Sequence, residues 1–166
     1  SAHNIELLPM YIYYSMFGFQ RIGDLIWAAA DQRARGFLFG ATAGRTTLSG
    51  EGLQHQDGSS HLIAATIPNC RAYDPCFAYE LAIIVEYGIR RMYDEKQDEF
   101  FYITLMNENY EHSSLPGGVE EDIIRGMYHY DSLGDPKSAR VRLLGSGTIL
   151  REVIEAAKLI TQHFDV

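Results

Sequence analysis

Residues 100–106, FFYITLM, contain no charged side chain and are dense in β-branched and aromatic residues. A strand that is polar on one face alternates; one without a polar position is covered on both faces, which is the environment of a parallel sheet between two helical layers. The rest of the chain supplies the partners. Residues 10–14 (MYIYY) and 37–41 (FLFGA) read as further buried strands, and residues 69–73 as a shorter one. Between the first two, Phe19, Ile22, Leu25, Ile26, Ala29 and Ala30 recur at spacings of three and four. They define the apolar face of a helix, with Arg21, Asp24 and Asp31 off that face and Gly36 as its cap. Asp74-Pro75 reads as the start of a second long helix, reaching about residue 93 and presenting Phe77, Leu81, Ile84, Val85, Gly88 and Met92. Short helices are expected over residues 61–66 and from residue 119. The class is α/β: a parallel sheet with helices on both faces.

Residues 132–137 (SLGDPK) read as a linker. Beyond it, residues 141–144 are expected as a strand, Gly145-Ser146-Gly147 as a turn, and residues 148–164 as an amphipathic helix. One βα unit cannot bury its own faces, so the chain divides into a domain over residues 1–134 and the opening of another over residues 139–166. The start at Ser1, without methionine and at no obvious element, suits a processed chain, an excised segment or a fragment of a longer polypeptide.

Among 166 residues, 22 are acidic and 14 basic, for a net charge of -8. The basic residues are scattered, which argues against a nucleic acid or an anionic membrane as partner. Cys70 and Cys76 fit no metal or redox pattern and suit a reducing compartment. No uncharged run has the length of a membrane span. A cytoplasmic location is expected.

In an open α/β sheet, ligands bind where strands end at their carboxyl side. Residues 44–61 follow one such end and gather glycines, hydroxyls, Glu51 and His55 with little to bury, which favours function over packing. Glu51 beside His55 suits an acid/base pair, because an imidazole titrates near neutrality and a carboxylate orients it. From spacing alone, a surface histidine is an equal reading. Glu51, His55 and His61 match no standard zinc spacing, and no metal site is expected among them. Tyr11, Tyr13, Tyr14 and Phe17 cluster at the end of one strand and read mostly as core packing; Tyr14 faces opposite to Tyr13, and Phe17 sits in the turn beyond, where a ring is free to stack on a flat ligand. Glu108, Glu111 and His112 flank another strand end, as cleft or as solvated loop. Gly145-Ser146-Gly147 lacks the lysine of a phosphate-binding loop.

Four runs, MYIYYSMFGFQRIGDLIWAAADQRARGF, GRTTLSGEGLQHQDG, YDPCFAYE and YITLMNENYE, resemble the middle region of the bacterial homodimeric pyruvate dehydrogenase component. That family is transketolase-like and thiamine diphosphate-dependent. The resemblance implies a partial pyrimidine-binding domain, followed by the first strand and helix of a carboxyl-terminal domain. It implies that Phe17 stacks on the aminopyrimidine of thiamine diphosphate, that Tyr14 lies beside cofactor and substrate, and that Glu51 and His55 are the acid/base pair. The partners it implies are a second copy of the subunit, pyruvate, and the lipoyl domain of a dihydrolipoyl acetyltransferase that receives the acetyl group. The family's Gly-Asp-Gly and asparagine motif for diphosphate and magnesium is absent from this sequence. So is a match to the glutamate that activates the cofactor, and the isolated chain is therefore expected to be inactive. A non-catalytic subunit-contact module and a metal-dependent hydrolase are the competing readings.

Overall fold

The computed structural model describes residues 5–41, 43, 57–106, 108–135 and 138–164. Strands β1 (Met10–Tyr14), β2 (Phe37–Ala41), β3 (Cys70–Tyr73) and β4 (Phe100–Thr104) form one sheet in the order β1-β2-β4-β3, with every pair parallel. Helix α1 (Gly18–Asp31) follows a single 3-10 turn, Ser15–Phe17, at the end of β1. Helix α2 (Ser60–Ala64) precedes β3, and α3 (Ala78–Ile89) runs on into a π-turn, Arg90–Asp94, before β4. Helices α4 (Glu120–Arg125) and α5 (Ile149–His163) complete the order.

Strand alternation sorts the core into two layers. Phe100 and Tyr102 join Phe19, Ile26 and Ala30 of α1 and Ala64 of α2 on one side. Phe37, Phe39, Phe101 and Ile103 join Ile84 of α3, Met92 and Ile123 of α4 on the other. The expected doubly covered parallel sheet is what forms, and all five residues of β4 are buried at its centre.

Several local expectations give way to tertiary context. Strand β1 forms over the expected residues but is not buried: Met10, Tyr11, Ile12 and Tyr14 are all at least half exposed, because β1 is an edge strand with β2 as its only neighbour among the described residues. Leu25, placed on the inward face of α1, is 67% exposed; Phe19, Ile26 and Ala30 alone are fully buried there. Helix α1 stops at Asp31, with Arg33 taking the left-handed conformation at φ 55°, so Gly36 lies beyond the helix and is not its cap. Asp74 does not cap α3, which starts four residues later. Glu80 does that work from inside the helix, accepting hydrogen bonds from the Cys76 and Phe77 amides. Residues 141–144 find no strand to pair with among the described residues and form no ladder; Val141 and Leu144 are 58% and 71% exposed. Helix α5 has no fully buried residue, and Phe164, expected inward, is 66% exposed. Among the described residues no helix is long and apolar enough to cross a membrane.

Candidate functional site

The carboxyl ends of the four parallel strands converge on one polar edge. From β1 the chain turns sharply through Ser15-Met16-Phe17 into α1. The turn is tight because Gly18 packs on Tyr13: a Cβ at residue 18 would lie 1.9 Å from the Tyr13 ring. This geometry brings together two of the expected site residues. The rings of Tyr14 and Phe17 meet edge to face at 6.3 Å, and the Arg21 guanidinium stacks over Phe17 at 4.2 Å. Tyr14 is 51% exposed and Phe17 partly so, which makes the pair an accessible aromatic surface rather than core. Glu51 and His55, the expected acid/base pair, lie outside the described residues.

Beneath the pair is a buried polar cluster that the sequence reading did not single out. Ser15, 1% exposed, donates its hydroxyl proton to Asp57, and Tyr102 Oη lies 2.7 Å from Ser15 Oγ. Since Ser15 has one proton and gives it to the carboxylate, Tyr102 is the donor in that second bond. Asp57 Oδ1 also accepts the amides of Ser59 at 3.2 Å and Ser60 at 3.0 Å, while Ser60 Oγ donates to the Ser15 carbonyl at 3.2 Å. Burial works against the Asp57 charge, but the bonds from Ser15, Ser60 and Ser59 outweigh it and hold the carboxyl below its ordinary range. The same burial pushes the Tyr102 phenol up to about 12, so it stays a proton donor at neutral pH. The signal available in sequence was Asp57-Gly58-Ser59-Ser60, an acidic side chain two and three residues before amides at a helix start.

A second cluster closes the other end of the edge. Asp74 accepts from Thr104 Oγ1 at 2.5 Å and from Ser146 Oγ at 2.8 Å, and its carbonyl accepts the Gly147 amide at 2.9 Å. The Gly145-Ser146-Gly147 turn is thus an anchor for the start of α5. His61 Nε2 lies 3.3 Å from Thr104 Oγ1, with its ring 5.1 Å from that of Tyr102. His61 therefore bridges the two clusters, and among the described residues no three His, Cys, Asp or Glu side chains come together as a metal site. Glu108 pairs with Arg151 of α5 at 2.8 Å. His112 Nδ1 accepts the Ala78 amide at 3.0 Å, capping α3, while Glu111 is exposed. Both Glu108 and His112 are structural ties here.

A family model described as pyruvate dehydrogenase E1 component middle domain matches residues 1–113. The chain belongs to this family. Along its full length it is 63% identical to the pyruvate dehydrogenase E1 component of Pseudomonas aeruginosa, 60% to that of Cupriavidus necator and 56% to that of Escherichia coli K12. It spans 19% of the length of each of these curated relatives. Among solved structures, transketolase from Campylobacter jejuni superposes on 67% of this chain and 16% of its own, with a TM-score of 0.54 at 15% identity. That likeness concerns the fold, and it agrees with the parallel sheet described above.

Proposed function

We propose that this chain is part of a thiamine diphosphate-dependent pyruvate dehydrogenase, contributing the surface that receives the cofactor's aminopyrimidine ring. The observation that carries the reading is the family match over residues 1–113, together with identities above one half to E1 components. The residues fit the ring: Tyr14 and Phe17 are adjacent, accessible and at the carboxyl end of a parallel strand. In this reading residues 1–134 belong to the middle domain and residues 139–166 open the next. Diphosphate and magnesium are assigned to segments outside this chain, since their motif is missing from its sequence.

When bound, thiamine diphosphate supplies the electron sink that decarboxylation of a 2-oxo acid requires. The chain's own contribution is threefold. Phe17 and Tyr14 hold and orient the ring, the tyrosine reaching toward the substrate. His55 moves a proton at the substrate, and Glu51 keeps its imidazole oriented for that transfer. The lipoyl disulfide of a partner acyltransferase would take the two-carbon unit as an acetyl thioester on one sulfur and the two electrons of its oxidation as a thiol on the other, and a second copy of the subunit completes the site. Alone, the 166-residue chain has no turnover on pyruvate with thiamine diphosphate and magnesium supplied.

The test is His55→Ala in the full-length subunit, with turnover on pyruvate measured at saturating cofactor. A fall of roughly 10²-fold or more is expected, the scale of a lost positioned acid/base group. Turnover equal to wild type removes the role given to His55, and pyruvate turnover by the isolated chain removes the dependence on the missing segments.

A further inference from the structure

The turn that presents Tyr14 and Phe17 is fixed through the one residue that follows Tyr14. Ser15 has three anchors: its hydroxyl donates to Asp57, its Oγ accepts from Tyr102, and its carbonyl accepts from Ser60 Oγ. Asp57 is itself held by the Ser59 and Ser60 amides and is 6% exposed, so it is a fixed point rather than a solvated side chain. Strand β2 leaves room for this arrangement. A Cβ on Gly40 would lie 2.6 Å from Tyr102 Oη and 2.8 Å from Ser15 Oγ, breaking the contact between them.

We infer that Asp57, acting through Ser15, is a positioning residue that sets the Tyr14–Phe17 surface for the aminopyrimidine ring; this rests on the thiamine diphosphate reading above. Of the two residues that separate the accessible rings, Ser15 is the one that the Asp57 carboxylate, the Tyr102 hydroxyl and the Ser60 hydroxyl all bond. These bonds link Ser15 to positions 42, 87 and 45 residues away, so the turn is held against β4 and the start of α2 and not by its own local backbone alone. Rings set on such a fixed base bind a flat ligand without first having to be ordered.

The experiment uses the full-length subunit and titration calorimetry in saturating magnesium, with two probes: thiamine diphosphate and inorganic pyrophosphate. Pyrophosphate carries the anionic end of the cofactor and no pyrimidine. For Ser15→Ala, and for the shape-preserving Asp57→Asn, the Kd for thiamine diphosphate rises about tenfold while the Kd for pyrophosphate stays within about twofold, as misplacement of a single contact surface would give. Tyr73→Phe is the control for loss of a part-buried hydroxyl elsewhere, its Oη bonding the Ile124 carbonyl at 2.8 Å, and it leaves both constants unchanged. Unchanged thiamine diphosphate binding in both Ser15→Ala and Asp57→Asn overturns the inference, as does equal weakening of both probes or an equal effect of Tyr73→Phe. A wild-type subunit that does not bind thiamine diphosphate at all refutes the functional reading instead, which keeps the two failures apart.

Discussion

Strand β4 reads FFYIT and strand β1 reads MYIYY, two apolar, aromatic pentapeptides that propensity alone does not separate. In the fold every residue of β4 is buried, whereas β1 is exposed at four of five positions and half-covered only at Tyr13. The difference lies in neighbours. Strand β4 has β2 and β3 on either side and a helical layer against each face; among the described residues β1 has β2 alone as a strand neighbour, and it is Tyr13 that packs against the layer containing α1. Apolar composition thus specifies a strand, but the order of strands decides what that strand is for. The central one supplies stability, and the edge one leads directly into the turn where Tyr14 and Phe17 are presented.

The strongest way to break this contrast is to cut into the centre. Phe101 is fully buried, and its ring lies against Phe37 at 5.5 Å, Tyr73 at 6.1 Å and Tyr87 at 6.1 Å. Phe101→Ala is expected to cost about 3–5 kcal/mol, because three rings cannot collapse into the space it leaves. Urea unfolding followed by circular dichroism measures it. A loss under about 1 kcal/mol, the range of surface changes, would mean that the centre of the sheet is not where stability resides.

A smaller effect is expected where the strands begin. Glu99, immediately before β4, bonds Arg71 of β3 and Arg91 at 2.7 Å each, with its side chain 13% exposed. Burial opposes its charge, but the bonds from Arg91 and Arg71 prevail and lower its pKa to about 2. The folded value lies below the unfolded one, so this stabilisation is fully present above the ordinary glutamate range and is lost as pH falls toward 2. Glu99→Gln should therefore cost on the order of 1–2 kcal/mol at neutral pH and flatten the decline in stability between about pH 5 and pH 2. The pair that serves the start of β1, Lys96 with Glu6 at 2.8 Å, has both side chains more than half exposed and should contribute little. An unaltered acid profile in Glu99→Gln would show that the two ion pairs are equivalent after all.

What could be read in advance follows the same division. The charge-free run at residues 100–106 announced a doubly covered strand, since no alternative burial satisfies it. The 3.6-residue spacing of Ile84, Gly88 and Met92 likewise announced the inward face of α3 and its continuation. Phe17 was legible as a ring set in a turn, whereas Tyr14 reads as part of a buried strand, and alternation alone sets it apart from Tyr13. Partnerships made across long stretches of chain were not legible. Asp74-Pro75 carries a sound local signal for a helix start, yet its carboxylate is claimed by Thr104 and Ser146, 30 and 72 residues away. Asp57 carries a local signal only for the amides at the start of α2, and it becomes a partner of Ser15 only when β1 and α2 are brought together. Residues 141–144 have strand propensity but no partner among the described residues, and a lone strand has nowhere to place its backbone hydrogen bonds.

The smallest expected effect sharpens the contrast from the edge. Ile12 is 63% exposed and lies on the face of β1 opposite to Tyr13, in register with Phe39. Removing its side chain returns little apolar area to water, so Ile12→Ala in the 166-residue chain should cost at most about 1 kcal/mol, the span of intrinsic strand preference. A charge placed there acts differently: Ile12→Lys should leave the unfolding midpoint nearly unchanged while reducing self-association, because an edge strand with an apolar outer face is a template for pairing and lysine blocks that approach. Sedimentation velocity on both variants distinguishes the outcomes. Should Ile12→Lys instead unfold the chain, the face carrying Ile12 is covered as thoroughly as β4, and the distinction between centre and edge fails at the residue where it is largest.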